Sequence, residues 1–313
     1  MPNVSVCIPT FNRVNLLSGA IDSVLQQTYT DWEVIVCDDG STDDTAEMMA
    51  TLTDRRIRYL RHPQNIGKSN NMISGFEAAS GEYFIKFDDD DRLTPEFLTR
   101  TCAVLADDTI DFVSTDHWVI DIDNERDLAK TDANSQRWGR ADLPAGTIAN
   151  LLELAFIKQP MQIGATLFRR QTLQTVGYMR PNLQNCEDND LFVRLALAGA
   201  KGYYLPERLM EYRFHAEQHS LDRAARYLAD KLQYLESYQF ESDELTAVQQ
   251  GRIAETKLLL GLRLVEKGET QKGQALLRSA QASSPPKALA GLALSLLPMS
   301  VRGKAFNFLR KLN

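Results

Sequence analysis

Cysteine is scarce in this sequence: the chain has four in 313 residues, and no two of them form a Cys-x-x-Cys pair. Cys7, Cys37, Cys102 and Cys186 are too scattered to indicate a dense disulfide framework. Cys7 and Cys37 fall within apolar runs that predict strands, which favours buried thiols over disulfide partners. The cysteine content therefore indicates a reducing compartment.

Long apolar runs and excess positive charge are also missing. No run approaches the roughly 20 apolar residues that a membrane-spanning helix needs, and the first residues lack the basic and then apolar pattern of a signal peptide. The formal net charge is −7, which argues against nonspecific binding to nucleic acid. These absences predict a cytoplasmic protein with no nucleic-acid partner.

Glycine-rich phosphate loops are absent near the first apolar run. The Gly-x-Gly-x-x-Gly pattern of a dinucleotide-binding dehydrogenase does not follow it. No glycine occurs between Pro9 and Asn15, whereas a nucleotidyltransferase ordinarily has a glycine-rich, basic loop near its first strand. The sequence argues against both classes of enzyme.

The first 115 residues alternate apolar runs with amphipathic stretches, in a chain whose 43% hydrophobic content is ordinary for a globular protein. Repeated strand–helix units predict an α/β fold, with a mainly parallel sheet flanked by helices. The predicted strands span 4–9, 33–37, 57–60, 83–87 and 110–114. The predicted helices span 14–26, 41–52 (with Ser41 or Thr42 as N-cap), 69–79 and 95–106.

The pattern changes twice further along the chain. Residues 116–143 are polar and irregular, which predicts a loop or a mobile excursion. Elements are predicted again at 147–155 and 186–200 (helices) and at 164–168, 203–205 and 210–214 (strands). After residue 220 the sequence predicts helices only, at 228–240, 245–267 and 270–282, followed by an apolar stretch at 288–297 and a basic helix. We therefore expect three regions, 1–115, 116–220 and an all-helical 221–313.

The terminal basic helix has two interpretations. It contains Arg302, Lys304, Arg310 and Lys311 beside apolar residues such as Phe306. In the first, the helices after residue 220 form a small cap that packs on itself. In the second, they contact a membrane surface or a partner peripherally.

Four consecutive aspartates, Asp88 to Asp91, follow the apolar run 83–87. A strand that ends there places its carboxylates at the carboxyl edge of the sheet, where open α/β folds bind ligands. Carboxylates so close repel one another unless a cation neutralises them, and oxygen ligands suit Mg²⁺ or Mn²⁺. A solvated acidic turn is the alternative.

Three further segments place polar groups at element ends. The loop that contains Pro9, Thr10 and Asn12 could offer backbone and hydroxyl groups to a planar ring, or be a plain turn. Asp38 and Asp39 end another predicted strand. There they either accept a hydrogen bond from an N–H on the edge of a nucleobase or only cap the next helix. Glu187 and Asp188 lie at the start of a predicted helix. One of these carboxylates could serve as a general base, or both could only be favourable negative charges at a helix N-terminus.

In combination, these segments resemble the family 2 glycosyltransferases of the GT-A fold, over roughly residues 3–220. The resemblance rests on the order of Ile8-Pro9-Thr10-Phe11-Asn12-Arg13, Cys37-Asp38-Asp39-Gly40-Ser41-Thr42-Asp43, Asn65-Ile66-Gly67, Gly81-Glu82-Tyr83, Phe87-Asp88-Asp89-Asp90-Asp91 and Cys186-Glu187-Asp188. It implies an inverting, Mn²⁺- or Mg²⁺-dependent enzyme. The donor would be a nucleotide-sugar, most often a UDP-sugar, and the acceptor a glycan, a lipid-linked glycan or a protein.

The resemblance also implies roles for individual residues. Asp188 would be the catalytic base and Glu187 would lie on the acceptor side. The nucleotide would contact Pro9, Thr10, Asn12, Asp39, Lys68, Asp88 and Asp89. Asp90, Asp88 and His215 would be near the metal or the diphosphate.

Two points of this scheme have alternative interpretations. Asn71-Met72-Ile73 stands where many relatives have Ala-Arg-Asn, so Lys68 is the nearest basic candidate for a phosphate contact, or a solvated helix residue. His215 is alternatively a surface histidine. A sugar-nucleotide-binding module without turnover and a nucleotidyltransferase are the rival functions.

Overall fold

The apolar runs of the first unit form one nine-stranded sheet. The computed structural model describes residues 2–214 and 221–312, with side chains as far as residue 306. The strands are β1 (Val4–Thr10), β2 (Trp32–Asp38), β3 (Ile57–Arg61), β4 (Tyr83–Lys86), β5 (Arg92–Leu93), β6 (Phe112–Ile120), β7 (Gly146–Thr147), β8 (Thr166–Arg169) and β9 (Gly202–Arg213). Their order is β3-β2-β1-β4-β8-β6-β9-β5, and β7 pairs with β9.

The sheet is mixed but mostly parallel. Strands β3, β2, β1 and β4 are parallel neighbours, and β6 is parallel to β9. Strand β8 lies antiparallel between β4 and β6. Strands β1, β2 and β4 are those that the sequence predicts most clearly, because all their residues are buried and most are apolar.

Helices cover this sheet in the unit Met1–His215. They are α1 (Val14–Leu25), α2 (Thr45–Thr51), α3 (Lys68–Ala78), α4 (Phe97–Leu105), α5 (Leu128–Arg137), α6 (Leu151–Glu153), α7 (Arg170–Val176) and α8 (Glu187–Leu197). Helix α1 buries Leu17, Ile21 and Val24 in the same core as Val6 and Val34 of the sheet. A π-helical turn, Leu154–Lys158, continues α6.

The expectation of a loop at 116–143 is wrong. Strand β6 continues to Ile120, and α5 lies within the expected loop. Asp116 is buried in this strand because it accepts from Ser135 at 2.7 Å and from Arg140 at 2.7 Å. These partners satisfy the charge, so the strand does not end where its sequence becomes polar.

Two further boundaries differ from the predicted ones. Residues 202–213 form one strand instead of two, although Pro206 lies in the middle. Helix α2 begins at Thr45, so neither Ser41 nor Thr42 is its N-cap. Asp43 accepts from the backbone and hydroxyl of Thr45, which delays the helix start.

The second unit, Ala216–Asn313, is helical in its described residues, as predicted. Its helices are α9 (Leu221–Glu236), α10 (Asp243–Lys267), α11 (Thr270–Ser279), α12 (Pro285–Ser295) and α13 (Met299–Leu312). Gly268, with a positive φ of 96°, ends α10 and permits the tight turn to α11. Leu258, Val265 and Leu277 belong to its core. Among the described residues, no helix combines the length and apolarity required to cross a bilayer.

Candidate active site

Three strand ends meet at one edge of the sheet. Strand β1 lies between β2 and β4, parallel to both, so Thr10, Asp38 and the aspartates after Lys86 share the carboxyl edge. In open α/β sheets, ligands bind outside the carboxyl ends of strands whose neighbours are reached by different connections, and β1 has this position; we call this edge the crevice. The predicted convergence of the strand-end residues is confirmed.

Two aspartates of the run contact the end of β1 and the loop after it. Thr10 donates to Asp89 at 2.7 Å. Arg13 Nη1 donates to Asp89 at 3.1 Å and to Asp90 at 2.7 Å. Burial nevertheless raises the pKa of Asp89 to about 6, against the opposing effect of Arg13.

The other two aspartates have cationic residues of the sheet as partners. The buried Lys86 donates to both oxygens of Asp88 at 2.7 Å. The backbone N–H of Arg213 donates to Asp91 at 2.9 Å, and the Arg213 side chain donates to the carbonyl of Asp90. For Asp88, Asp89 and Asp90, protein cations therefore share the neutralisation that the sequence argument assigned to a metal, whereas Asp91, within the described part of the chain, accepts only from a backbone N–H and its Oδ2 has no partner.

The end of β2 holds the neighbouring loops in place. Asp39 accepts from the backbone N–H groups of Ile66 at 2.6 Å and Gly67 at 3.2 Å. Asn12 has a positive φ of 55° and accepts from the N–H of Thr42 at 2.7 Å. Pro9 is buried and pairs with Cys37 in the sheet, whereas Asn12 is exposed. Thus Pro9, Thr10, Asn12 and Asp39 surround the crevice, and their nucleotide contacts stay a prediction.

The helix start at α8 lies beside the start of α3. Lys68 forms an ion pair with the buried Glu187 at 2.6 Å. Cys186, just before α8, has a positive φ of 62° and sets the angle at which the helix begins. Lys68 and Glu187, which the sequence places on donor and acceptor sides, are therefore in direct contact.

Among the described residues, Asp188 and Asp91 are the two carboxylates of the site that each keep a buried oxygen without a hydrogen-bond partner. Asp188 is half-buried, and its Oδ1 is fully buried without a hydrogen-bond partner. Burial raises the pKa of Asp188 to about 6, while Lys86 acts to lower it and Glu187 to raise it. Burial is opposed at Asp88 by the charges of Lys86 and Lys68, which hold the pKa of Asp88 below its usual value. Asp188 and Asp88 thus share one electrostatic environment but ionise over different pH ranges.

A divalent metal fits the chemistry of Asp88 and Asp90. Within residues 2–214 and 221–312, no three acidic, histidine or cysteine side chains converge as a complete metal site. Mg²⁺ is commonly held by one or two protein carboxylates and completed by substrate phosphates, so a smaller protein donor set is sufficient. The predicted ligand His215 lies outside the described residues.

Arg13, Lys86 and Arg213 are site residues that the sequence argument did not single out. Arg13 and Lys86 immediately flank segments that it did identify, so their charge near four aspartates was an available signal. Arg213 is distant in sequence and is brought to Asp90 and Asp91 only by the pairing of β5 and β9.

Curated relatives match part of this chain. A Campylobacter jejuni protein, GalNAc(5)-diNAcBac-PP-undecaprenol beta-1,3-glucosyltransferase, is 45% identical over 96 residues, which cover 30% of this chain and 31% of the relative. The Escherichia coli protein WfgD, a UDP-Glc:alpha-D-GlcNAc-diphosphoundecaprenol beta-1,3-glucosyltransferase, is 31% identical over 117 residues, or 37% and 46% of the two chains. The chain thus spans less than half the length of these relatives.

Solved structures show the same fold over nearly the whole chain. Staphylococcus aureus TarS 1-349 in complex with UDP-GlcNAc has a TM-score of 0.62 at 16% identity, covering 96% of this chain and 91% of TarS 1-349. The mannosyltransferase PcManGT from Pyrobaculum calidifontis, in complex with GDP-Man and Mn²⁺, has a TM-score of 0.61 at 19% identity, covering 97% and 85%. These similarities confirm the expected GT-A fold.

The family model for glycosyl transferase family 2 matches residues 5–174. This span includes all but the first residue of β1, strands β2 to β8 and the aspartate run, whereas β9 and Asp188 lie beyond it. It covers more than half of the 313 residues. The chain belongs to glycosyl transferase family 2.

Proposed function

We propose that the chain is an inverting glycosyltransferase that moves a sugar from a nucleotide-sugar, a UDP-sugar above all, to an acceptor hydroxyl. One observation carries this proposal: the half-buried carboxylate of Asp188 lies near Lys86 and Asp88 with an oxygen that accepts no hydrogen bond. A carboxylate whose pKa is raised to about 6 is ionised at neutral pH and is a better proton acceptor than an ordinary aspartate.

Each part of the crevice has a role in this proposal. Asp188 takes the proton of the acceptor hydroxyl as the oxygen attacks the anomeric carbon from the side opposite the leaving diphosphate. One such displacement inverts the configuration and requires no covalent sugar–enzyme intermediate. The pair Lys68–Glu187 fixes the start of α8, which positions Asp188.

The nucleotide is proposed to lie against the carboxyl edge of β1 and β2. Pro9, Thr10 and Asn12 line this edge, and Asp39 is next to them. Asp39 already holds the turn at Ile66 and Gly67, so its contact with a base would use oxygen lone pairs that remain after those bonds. Asp88 and Asp89 are proposed to contact the ribose.

A bound Mn²⁺ or Mg²⁺ ion would neutralise the charge that develops on the leaving diphosphate. Asp90 and Asp88 are proposed to hold it, and His215 is proposed to lie near the same group. Arg13 and Arg213 keep Asp90 in place through its carboxylate and its backbone, respectively.

The relatives indicate the class of acceptor. Both curated relatives cited above have an undecaprenol-linked glycan in their names, and one also has UDP-Glc. We propose a lipid-linked or polysaccharide acceptor for this chain and activity at the cytoplasmic face of a membrane.

A transfer assay with a matched variant tests the function. The chain is incubated with Mn²⁺ and a panel of nucleotide-sugars, and release of the nucleoside diphosphate is measured with and without undecaprenyl-diphosphate-linked acceptors. We expect donor turnover, and we expect Asp188→Asn to lose at least about a hundredfold of it while donor affinity stays within about twofold.

Three outcomes would contradict the proposal. Full turnover by Asp188→Asn would exclude Asp188 as the base. Donor binding without any turnover would favour the binding module, and pyrophosphate release from a nucleoside triphosphate and a sugar phosphate would favour the nucleotidyltransferase.

A further inference from the structure

The second unit exposes a concentration of large apolar side chains where α12 is followed by α13. Leu289 is 52% exposed, Leu296 80%, Met299 52% and Val301 45%. We call these four residues the α12–α13 patch. Exposed apolar side chains are ordinary when they are scattered singly, but concentrated ones mark surfaces that bind a protein or a membrane.

The two faces of α12 show that this exposure is not a consequence of an unpacked helix. Its inner face buries Ala288, Gly291 and Ser295. Gly291 packs so closely that a side chain there would meet Leu262 and Leu277. The exposed residues from Leu289 to the C-cap are apolar (Leu289, Ala290, Ala293 and Leu296), and Lys287 is the exposed charge of the helix. The helix is therefore anchored on one side and offers an apolar surface on the other.

The patch lies in a long basic segment of an acidic chain. Residues 270–313 contain no aspartate or glutamate, whereas the whole chain has a net charge of −7. Their cations are Lys272, Arg278, Lys287, Arg302, Lys304, Arg310 and Lys311. Arg302 is buried and donates to backbone carbonyls, including that of Val265 at 2.9 Å. Lys287 and Lys304 are exposed, so their charges are available to a partner.

We propose that the α12–α13 patch binds the surface of an anionic lipid bilayer. Apolar side chains that enter the interface, with lysines beside them for the lipid phosphates, are the combination that holds a protein peripherally on such a membrane. A second copy of the chain fits less well, since pairing two basic segments would bring like charges together. This proposal does not depend on the proposed transfer reaction.

Vesicle co-sedimentation of the full chain tests it. Vesicles of phosphatidylglycerol and phosphatidylcholine are compared with vesicles of phosphatidylcholine alone, at low and high salt. We expect binding to the anionic vesicles that weakens at high salt. Leu296→Glu should lower the partition coefficient about tenfold, because one exposed leucine no longer leaves water on binding.

Leu259→Glu is the matched control, since Leu259 is also exposed, at 40%, but lies on α10. It should bind vesicles as the unchanged chain does. Circular dichroism confirms that both variants are folded, and Lys287→Glu with Lys304→Glu should remove most of the salt-dependent binding.

Three results would overturn the proposal. The first is the absence of binding to anionic vesicles, and the second is equal loss in Leu296→Glu and Leu259→Glu. The third is a change of oligomeric state in Leu296→Glu, seen by sedimentation velocity, with unchanged vesicle binding, which would make the patch an interface between copies. Nucleoside diphosphate release is measured in parallel, so loss of transfer and loss of membrane binding are distinguished.

Discussion

Lys86 is a lysine in a buried strand, and the position of its charge has consequences for two carboxylates. It donates to both oxygens of Asp88, and its charge also acts on Asp188. A buried ammonium group is stable only when it is paired, so Lys86 and Asp88 depend on each other. Since Lys86 opposes the effect of burial on Asp188, it helps to keep the proposed base ionised near neutral pH.

This arrangement predicts the pH dependence of transfer. The pKa of Asp188 is raised to about 6, and a base must be deprotonated to act. The value of kcat/KM should therefore rise with pH through about 6 and level off above it. Lys86→Met removes a charge that lowers the pKa of Asp188, so the rising limb should move to higher pH. The measurement is the pH profile of kcat/KM at saturating Mn²⁺.

Lys130→Met is a suitable control for this experiment, because Lys130 is an exposed lysine that pairs with Asp127. Its profile should match that of the unchanged chain. A limb at the same pH in Lys86→Met would mean that Lys86 only supports the sheet.

At the scale of the element, helix α3 is fixed on the sheet by its closest approach at Gly75. A Cβ atom there would collide with the sulfurs of both Cys7 and Cys37, which are buried and 3.6 Å apart. Helix α3 begins at Lys68, so its position also determines the contact of Lys68 with Glu187. The packing of one glycine thus influences the geometry of the site.

Gly75→Ala should destabilise the chain by about 1–3 kcal/mol, because the helix or both strands must shift to admit a methyl group. Gly19→Ala on α1 is the matched control, since no atom lies within 4 Å of its added Cβ. That change should be neutral or stabilise by up to about 1 kcal/mol, as alanine favours a helix over glycine. Denaturant unfolding measures both, and an equally stable Gly75→Ala would show that α3 is not packed this tightly.

The elements that the sequence predicts well are those with apolar periodicity. Strands β1, β2 and β4 have it, and so does α1. Helix α5 was missed because its buried residues include Thr131 and Ser135, which are held by hydrogen bonds to β6 and not by apolar contact. A pattern of apolar residues contains no signal for a helix of this kind.

The candidate site was predictable to a similar extent. The carboxylates after β2 and β4 and at the start of α8 were identified from sequence, because acidic residues at element ends are visible there. Their cationic partners were not, since Arg213 meets the aspartate run through strand pairing across more than a hundred residues. Pairing of that kind follows from the topology of the sheet, which local sequence does not determine.

At the scale of the whole molecule, the negative net charge of the chain opposes the binding of a negatively charged donor. A chain of net charge −7 repels a nucleotide-sugar at long range, so attraction must come from cations close to the crevice. Arg13, Lys68 and Lys86 are in the described site, but each already pairs with a carboxylate. Donor affinity should therefore depend strongly on a divalent metal.

Thermal unfolding of the full chain tests this dependence. A ligand that binds only the folded state stabilises it by about 2.7 kcal/mol at a hundred times its Kd, which corresponds to a rise of about 4 °C in Tm for a protein of 313 residues. UDP with Mn²⁺ should give such a rise, and UDP with EDTA should give little. Asp90→Ala should abolish the part that Mn²⁺ adds, whereas Asp132→Ala, which removes an exposed carboxylate paired with Arg208, should retain it. An undiminished Mn²⁺ effect in Asp90→Ala would place the metal elsewhere. Equal Tm shifts with and without Mn²⁺ would mean that Arg13, Lys68 and Lys86 are released from their carboxylates and bind the diphosphate directly.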